Sequence, residues 1–264
     1  MILRRTLLAA PALLLARPAA AQTLDAAPAQ GALLRGQASP GARVSLDGRA
    51  LRVSPTGRFV LGFGRDHGPA ARLVVDGQAQ SLVVAPRAWD IQSITGLPPA
   101  MVTPDAAALA RITAERERLA AARAIDSAAE DFAAPLVWPA RGRISGIFGS
   151  QRVLNGQPRQ PHYGLDVAGP VGTPIRAALG GRVVLSGDFF FFGQLLVLDH
   201  GHGVNTLYAH LSERLVAEGE PVAPGALIAR MGATGRVTGP HLHFSLSWFT
   251  IWLDPQPSLP KEQG

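Results

Sequence analysis

Between Pro135 and Pro255 the chain consists of short runs of β-forming residues broken by glycine turns, and this texture limits the fold more than any other feature. Arg182-Val183-Val184-Leu185, Leu195-Leu196-Val197-Leu198, Asn205-Thr206-Leu207-Tyr208-Ala209-His210 and His241-Leu242-His243-Phe244-Ser245-Leu246 each have the length and composition of a strand. Helix start signals are absent from this stretch. An all-β domain over residues 135–256 is therefore expected.

A second β region precedes it. Val44-Ser45-Leu46 runs into Asp47-Gly48, and Arg72-Leu73-Val74-Val75 into Asp76-Gly77; Asp-Gly is a strong two-residue hairpin signal. With the imperfect alternation of Arg58 to Phe63 and the run Ser81 to Val84, this predicts a small immunoglobulin-like β-sandwich over residues 31–86. It has no cluster of ionisable residues, so wall binding, spacing or covering a site all stay open as its role. Residues 22–30 read as a loose lead-in. Residues 87–134 read as a linker followed by a connecting helix from Pro104 to about Glu130. Thr103 can cap that helix, Pro104 suits its first position and Asp105 favours its N-terminus. Leu109, Ile112, Leu119 and Ile125 make a thin apolar stripe, and Arg116 and Arg123 break the heptad that a coiled coil needs. The expected class is mainly β: an N-terminal small β-sandwich, a connecting helix and a C-terminal all-β domain.

Composition narrows the function. With 47% apolar and 17% charged residues the chain is globular rather than disordered. The net charge of +6 would suit an anionic polymer, but the arginines are scattered and no nucleic-acid motif occurs, so no nucleic-acid partner is expected. Ala, Gly, Pro and Arg dominate, as in a GC-rich bacterial genome. There are no cysteines, which excludes disulfides, thiolate metal sites and a lipobox anchor; any metal must be held by histidine and carboxylate. Residues 1–21 read as a signal peptide: Arg4 and Arg5, an apolar run from Leu7 to Ala16 too short to span a bilayer, then Ala19-Ala20-Ala21. Both the general and the twin-arginine routes fit. No later stretch predicts a stable membrane anchor, so export to the periplasm or cell wall is expected.

Six of the seven histidines fall between His162 and His243. On a strand, His241, His243, Ser245 and Ser247 share one face, while Leu242, Phe244, Leu246 and Trp248 share the other. The first face offers two imidazoles to a cleft and the second fits a core. His162 and Asp166 add a second imidazole–carboxylate pair around Gly164. Thr206, Tyr208 and His210 would share a strand face opposite Leu207 and Ala209. Two imidazoles and a carboxylate make three zinc ligands and leave the fourth position for water, with two histidines over for proton and oxyanion work. Which histidine of the His241–His243 pair would be the ligand stays open on spacing alone.

These residues resemble the lysostaphin-type, LytM-like zinc metallopeptidases. The resemblance rests on His162-Tyr-Gly-Leu-Asp166, on Tyr208-Ala209-His210-Leu211, and on Thr238-Gly239-Pro240-His241-Leu242-His243-Phe244. Gly172-Thr173-Pro174, Asp199-His200-Gly201 and Gly232-Ala233-Thr234-Gly235 support it. The resemblance covers about Pro135 to Pro255 and implies a LytM-like zinc peptidase domain there. It further implies one Zn²⁺ held by His162, Asp166 and His243, catalytic histidines at His210 and His241, and peptidoglycan as the substrate. The implied activity is that of a secreted zinc endopeptidase cutting a cross-bridge or stem peptide. In a Gram-negative source the favoured bond would be the D-Ala–diaminopimelate cross-link. The alternative is a non-catalytic LytM-like regulator that activates a cell-wall amidase, as in family members that have lost ligands; here all five positions are filled. Two positions depart from the family: Val237 stands where serine is common, and Ser245 where an acidic residue is common. Phe189 to Phe192 would line the cleft or pack beneath it. His200 and His202 are assigned to a turn and His67 to the sandwich surface.

Overall fold

The structure is a computed structural model that describes residues 23–261. The expected signal peptide, residues 1–21, lies outside the described residues. Seven strands come first: β1 (Thr23–Leu24), β2 (Leu33–Gln37), β3 (Val44–Leu46), β4 (Arg49–Leu51), β5 (Arg58–Gly62), β6 (Ala70–Val75) and β7 (Gln78–Val83). They form a three-stranded sheet, β1-β2-β5, and a four-stranded sheet, β4-β3-β6-β7. Both Asp-Gly pairs make the tight turns expected of them, with positive φ at Asp47, Gly48, Asp76 and Gly77. Leu34, Phe59, Leu61, Leu73 and Val75 fill the space between the sheets. The lead-in is not loose: β1 pairs with β2, and Ala29 bridges to Ala85.

The segment between the two β regions is also more ordered than a linker. It contains β8 (Ile91–Ile94), a helical turn α1 (Pro99–Val102) and the connecting helix α2 (Ala106–Arg123). The N-cap is Asp105, not Thr103; its carboxylate accepts the Ala108 N–H at 2.8 Å. The helix stops at Arg123, short of Glu130, and Ile125 lies beyond it. Of the expected stripe, Ile112 and Leu119 are buried while Leu109 is 51% exposed.

The C-terminal strands are β9 (Arg143–Gly146), β10 (Gln151–Leu154), β11 (Gln157–Pro158), β12 (Leu165–Ala168), β13 (Pro174–Arg176), β14 (Gly181–Phe189), β15 (Gly193–Asp199), β16 (Val204–Arg214), β17 (Pro221–Val222), β18 (Leu227–Met231), β19 (His241–Trp248) and β20 (Ile251–Leu253). Ten of them form one sheet with the spine β17-β14-β15-β16-β19-β12-β9. β8 pairs in parallel with β10, which ties the segment after the sandwich to the C-terminal domain. One face of the large sheet packs Leu165, Val167, Tyr208, Leu242 and Phe244 into a core. The other is covered by α2, whose Leu119 and Ala122 meet Leu185, Phe189, Leu195, Val197, Leu207 and Ala209. Burying a leucine such as Leu119 contributes about 1.5–3 kcal/mol.

The sandwich core continues into the C-terminal domain through Phe132, Val204, Leu246, Trp248 and Leu253. Leu246 and Trp248 lie toward the end of β19 away from His241. The sandwich therefore leans on the sheet at the end remote from the paired histidines, and α2 is the element laid over the histidine-bearing face.

Candidate metal and active site

Register alone brings three of the expected residues together. In the antiparallel pair β12–β19, Asp166 stands directly opposite His243, and Ala168 opposite His241. Directly opposed side chains share a face and lie about 4.5–5.5 Å apart at Cβ. Accordingly Asp166 Oδ1 comes 2.9 Å from His243 Nδ1. His162 reaches in from the segment before β12, and its Nε2 lies 3.0 Å from Asp166 Oδ1 and 3.0 Å from His243 Nδ1. Three ligand atoms thus form a nearly equilateral triangle, with all three residues buried.

The surroundings orient each of them. The Nδ1–H of His162 donates to the Ile147 carbonyl at 3.0 Å, so its Nε2 presents a lone pair to the triangle. Arg152 Nη2 donates to Asp166 Oδ2 at 3.1 Å and leaves Oδ1 turned inward. Ser245 Oγ sits 2.9 Å from His243 Nε2, so the family departure at this position still supplies His243 with a partner. Two glycines make room. A Cβ on Gly146 would come 2.5 Å from Asp166 Oδ2, and one on Gly164 would come 2.6 Å from His243 Cε1. Gly164 is required by close approach; it does not have the left-handed backbone that would call for glycine on conformational grounds.

Charge agrees with this geometry. Burial works to raise the Asp166 carboxyl, but His162 and His243 against it hold it well below the usual carboxylate range. Burial pushes His243 down to about 4, so this imidazole is neutral near pH 7. Two imidazole nitrogens and a carboxylate oxygen, converging with lone pairs inward and hydrogen-bonded behind, are a donor set suited to zinc. The residues present therefore fit the metal that the sequence implies.

His210 and His241 stand beside the triangle with ring centroids 4.7 Å apart, and His210 is 5.9 Å from the His243 ring. The Nδ1–H of His210 donates to the Thr234 carbonyl at 2.8 Å, and that of His241 to the Gly239 carbonyl at 2.9 Å. Both rings are thereby fixed with Nε2 as the free acceptor. Burial, with His241 and His243 close by, holds His210 well below its ordinary pKa. His210 does not share a face with Thr206 and Tyr208 as strict alternation requires. A bulge lies between Tyr208 and Leu211, where three steps on β16 oppose two on β15, and His210 takes φ +62°. This turns the ring to the face of His241 and His243.

The triangle opens on a cleft of about 570 Å³ lined by His162, His210 and His243, by α2 residues including Ile112 and Leu119, and by Phe191 and Phe192. Residues 31–86 contribute nothing to its lining; the connecting helix is its wall. The phenylalanine run does both: Phe189 is buried under α2, and Phe189, Phe191 and Phe192 all contribute to the cleft lining.

The other histidines lie apart. His200 is fully buried in the core, its Nδ1–H donating to Gly180 O at 2.6 Å and its Nε2 lying 2.7 Å from Thr206 Oγ1, so it is more than a turn residue. His202 packs on Phe132, and His67 packs edge-on against Phe63 in the sandwich. Sequence reasoning missed Arg152, Gly146 and the arginines of the cleft, since isolated arginines and glycines carry no local signal of a site.

Comparison with known proteins agrees with this geometry. Residues 160–255 match the family model described as Peptidase family M23. A 105-residue stretch is 43% identical to the peptidoglycan DD-endopeptidase ShyA of Vibrio cholerae, covering 39% of this chain and 24% of that protein. Over 127 residues it is 38% identical to a lipoprotein NlpD/LppB homolog of Pseudomonas aeruginosa, covering 47% of this chain and 39% of that one. The chain thus spans well under half the length of these relatives. A solved Pseudomonas aeruginosa structure described as a peptidase M23 superposes with a TM-score of 0.65 at 28% identity, over 86% of this chain and 93% of that one. That overlap extends the shared fold beyond the matched domain into the N-terminal β region. Strand order, the histidine and aspartate constellation and these likenesses agree that residues 160–255 form a peptidase M23, LytM-like domain.

Proposed function

We propose that the protein is an exported zinc endopeptidase that hydrolyses peptide bonds of peptidoglycan, with the metal held by His162 Nε2, Asp166 Oδ1 and His243 Nδ1. The observation that carries this reading is the convergence of those three atoms, 2.9–3.0 Å apart, beside a second imidazole pair whose His210 lines the adjoining cleft. Zinc bound there would supply Lewis acidity that polarises a carbonyl and makes water acidic enough to act as a nucleophile near neutral pH. The chain's own groups do the rest. Arg152 and Ser245 hold the ligands in orientation. His210 and His241, each fixed by its Nδ1–H, keep Nε2 as the free acceptor beside the triangle. One accepts the proton of the attacking water; the other, once protonated, donates to the developing oxyanion or to the leaving amine. The α2 wall with Phe191 and Phe192 keeps bulk water from that side.

A structural zinc would need a fourth protein ligand. His241 is the available one, but its Nε2 is 3.8 Å from Asp166 Oδ1, outside the spacing of the three. Similarity to the NlpD/LppB homolog keeps the amidase-regulator reading as the competing one. The test is digestion of intact peptidoglycan by the purified protein, with and without a zinc chelator, followed by separation of the fragments. Chelator-sensitive loss of cross-linked dimers is expected. A zinc-loaded protein that leaves dimers untouched but stimulates an amidase would replace this reading with the regulator.

A further inference from the structure

The cleft is strongly one-signed. Arg116, Arg123, Arg152, Arg159 and Arg236 line it, and Glu115 is the one carboxylate among the lining residues. Glu115 is already engaged, by Arg111 Nε at 2.6 Å and by the Phe190 N–H at 2.8 Å. Arg152 spends Nη2 on Asp166, while its Nε is buried without a hydrogen-bond partner. Arg236 lies over the Phe191 ring at 4.2 Å, and its polar contact is a long one, 3.4 Å to the Met101 carbonyl. Burial, together with the nearby charges of Arg152 and Arg159, lowers Arg236 to about 10, so it remains a cation near pH 7. Like charges gathered in a partly buried cleft repel one another, and an anion entering it relieves that repulsion. A guanidinium lying over an aromatic ring can still offer its N–H donors for a two-pronged bond to a carboxylate.

Position connects this charge to the chemistry. Arg236 is two residues beyond Thr234, whose carbonyl fixes His210. Arg152 is one hydrogen bond from Asp166. An anion held between them would lie beside the group undergoing attack.

We propose that the cleft selects peptides carrying a free carboxylate next to the scissile amide, and that Arg236, assisted by Arg152, is the residue that reads it. The inference rests on the endopeptidase reading for what is cleaved but not for what is bound. It is tested on the zinc-loaded full chain with two probes, Nα,Nε-diacetyl-L-Lys-D-Ala-D-Ala and the same peptide ending in a carboxamide. Binding is followed by calorimetry and cleavage by chromatography. The acid should be preferred about 10- to 100-fold, the scale of a charged hydrogen-bonded pair. Arg236→Gln should bring the acid-to-amide ratio close to one, acting through KM and binding, and Arg236→Lys should restore part of the preference. The melting temperature of each variant checks that it is folded. Equal binding and cleavage of acid and amide by the unaltered protein would overturn carboxylate recognition and leave the endopeptidase intact. A preference that survives Arg236→Gln would also overturn it, since the carboxylate would then be held elsewhere, for example by the metal. Arg236-dependent binding of the acid would sustain recognition whether or not the tripeptide is cut, since release of its last residue is a carboxypeptidase step and the endopeptidase reading is decided by the peptidoglycan digest.

Discussion

Gly164→Ala isolates how closely the metal-holding residues are packed. A Cβ at this position would lie 2.6 Å from His243 Cε1, 2.8 Å from His243 Nε2 and 2.8 Å from the Phe244 carbonyl oxygen. Ordinary contact begins near 3.4 Å, so the imidazole must retreat by about 0.8 Å or the backbone must open. Neither is easy. The ring is held by Asp166 on one edge and Ser245 on the other, and Phe244 is in the sheet ladder with both Leu165 and Tyr208. Overpacking of this kind costs about 1–3 kcal/mol. A metal ligand tolerates only about 0.2 Å of displacement, so most of that cost should appear in metal affinity. At about 1.4 kcal/mol per tenfold, zinc binding should weaken roughly 5- to 150-fold. The assay is competition for zinc against a chromophoric chelator, with circular dichroism to check the fold. Gly68→Ala is the control, because a Cβ there meets nothing within 4 Å. Zinc affinity within twofold of the unaltered protein, with full cleavage, would refute the claim that this glycine exists to let His243 approach.

Four further outcomes follow from the same structure. His210→Ala should keep zinc and lose cleavage by about 10²- to 10⁴-fold, the usual range for a proton-transfer group; loss of metal would show His210 to be a ligand. Adding zinc to the metal-free protein should raise its melting temperature in proportion to the logarithm of zinc concentration, and His243→Ala should abolish that dependence. Tyr208→Phe should cost about 1–3 kcal/mol in urea unfolding, because the buried Ala178 N–H donates to the phenol oxygen at 2.8 Å and would be left without a partner. His200 titrates near 4 when folded because it is buried, against about 6.5 when unfolded. The unfolded chain therefore binds more protons between these values. Stability contributed by the neutral ring is present above about 6.5 and is lost as pH falls toward 4, on the order of 3 kcal/mol in all. Urea titrations at several pH values should show this slope, and His200→Gln should reduce it.

What the sequence disclosed followed strictly local rules. Asp47-Gly48 and Asp76-Gly77 marked their hairpins because an Asp-Gly turn is decided by its own two residues. The apolar alternation of β19 separated Leu242 and Phe244 from His243 and Ser245 because both faces are buried against different layers. What it concealed depends on distant partners. Thr103 and Pro104 look like a helix start, yet Asp105 makes the cap, as several adjacent residues had competing capping signals. In the sequence Arg123 reads only as a residue that breaks a heptad. In the structure it is buried at the end of α2, 3.3 Å from the Trp252 ring and bonded through Nε to Ser247 Oγ at 3.2 Å. No local pattern distinguishes an arginine at a helix surface from one that a β-sheet will later cover.

His210 shows the limit most clearly. Alternation along a strand places it with Tyr208, in the core and away from His243, where it could take no part in the chemistry. One inserted residue in β16 reverses that parity, and the reversal needs a non-glycine residue at φ +62°. Such a backbone costs on the order of 1 kcal/mol and persists only where its surroundings hold it. Here they do: the His210 N–H donates to the Phe192 carbonyl at 2.8 Å and its ring to the Thr234 carbonyl. Both partners come from loops bordering the cleft, and Arg236 follows in the second of them. The strained turn therefore aims an imidazole at the triangle and fastens it to the two loops that shape the cleft. A flat, regular strand would have avoided the strain, but it would have left His241 without the second ring that now lies 4.7 Å from it.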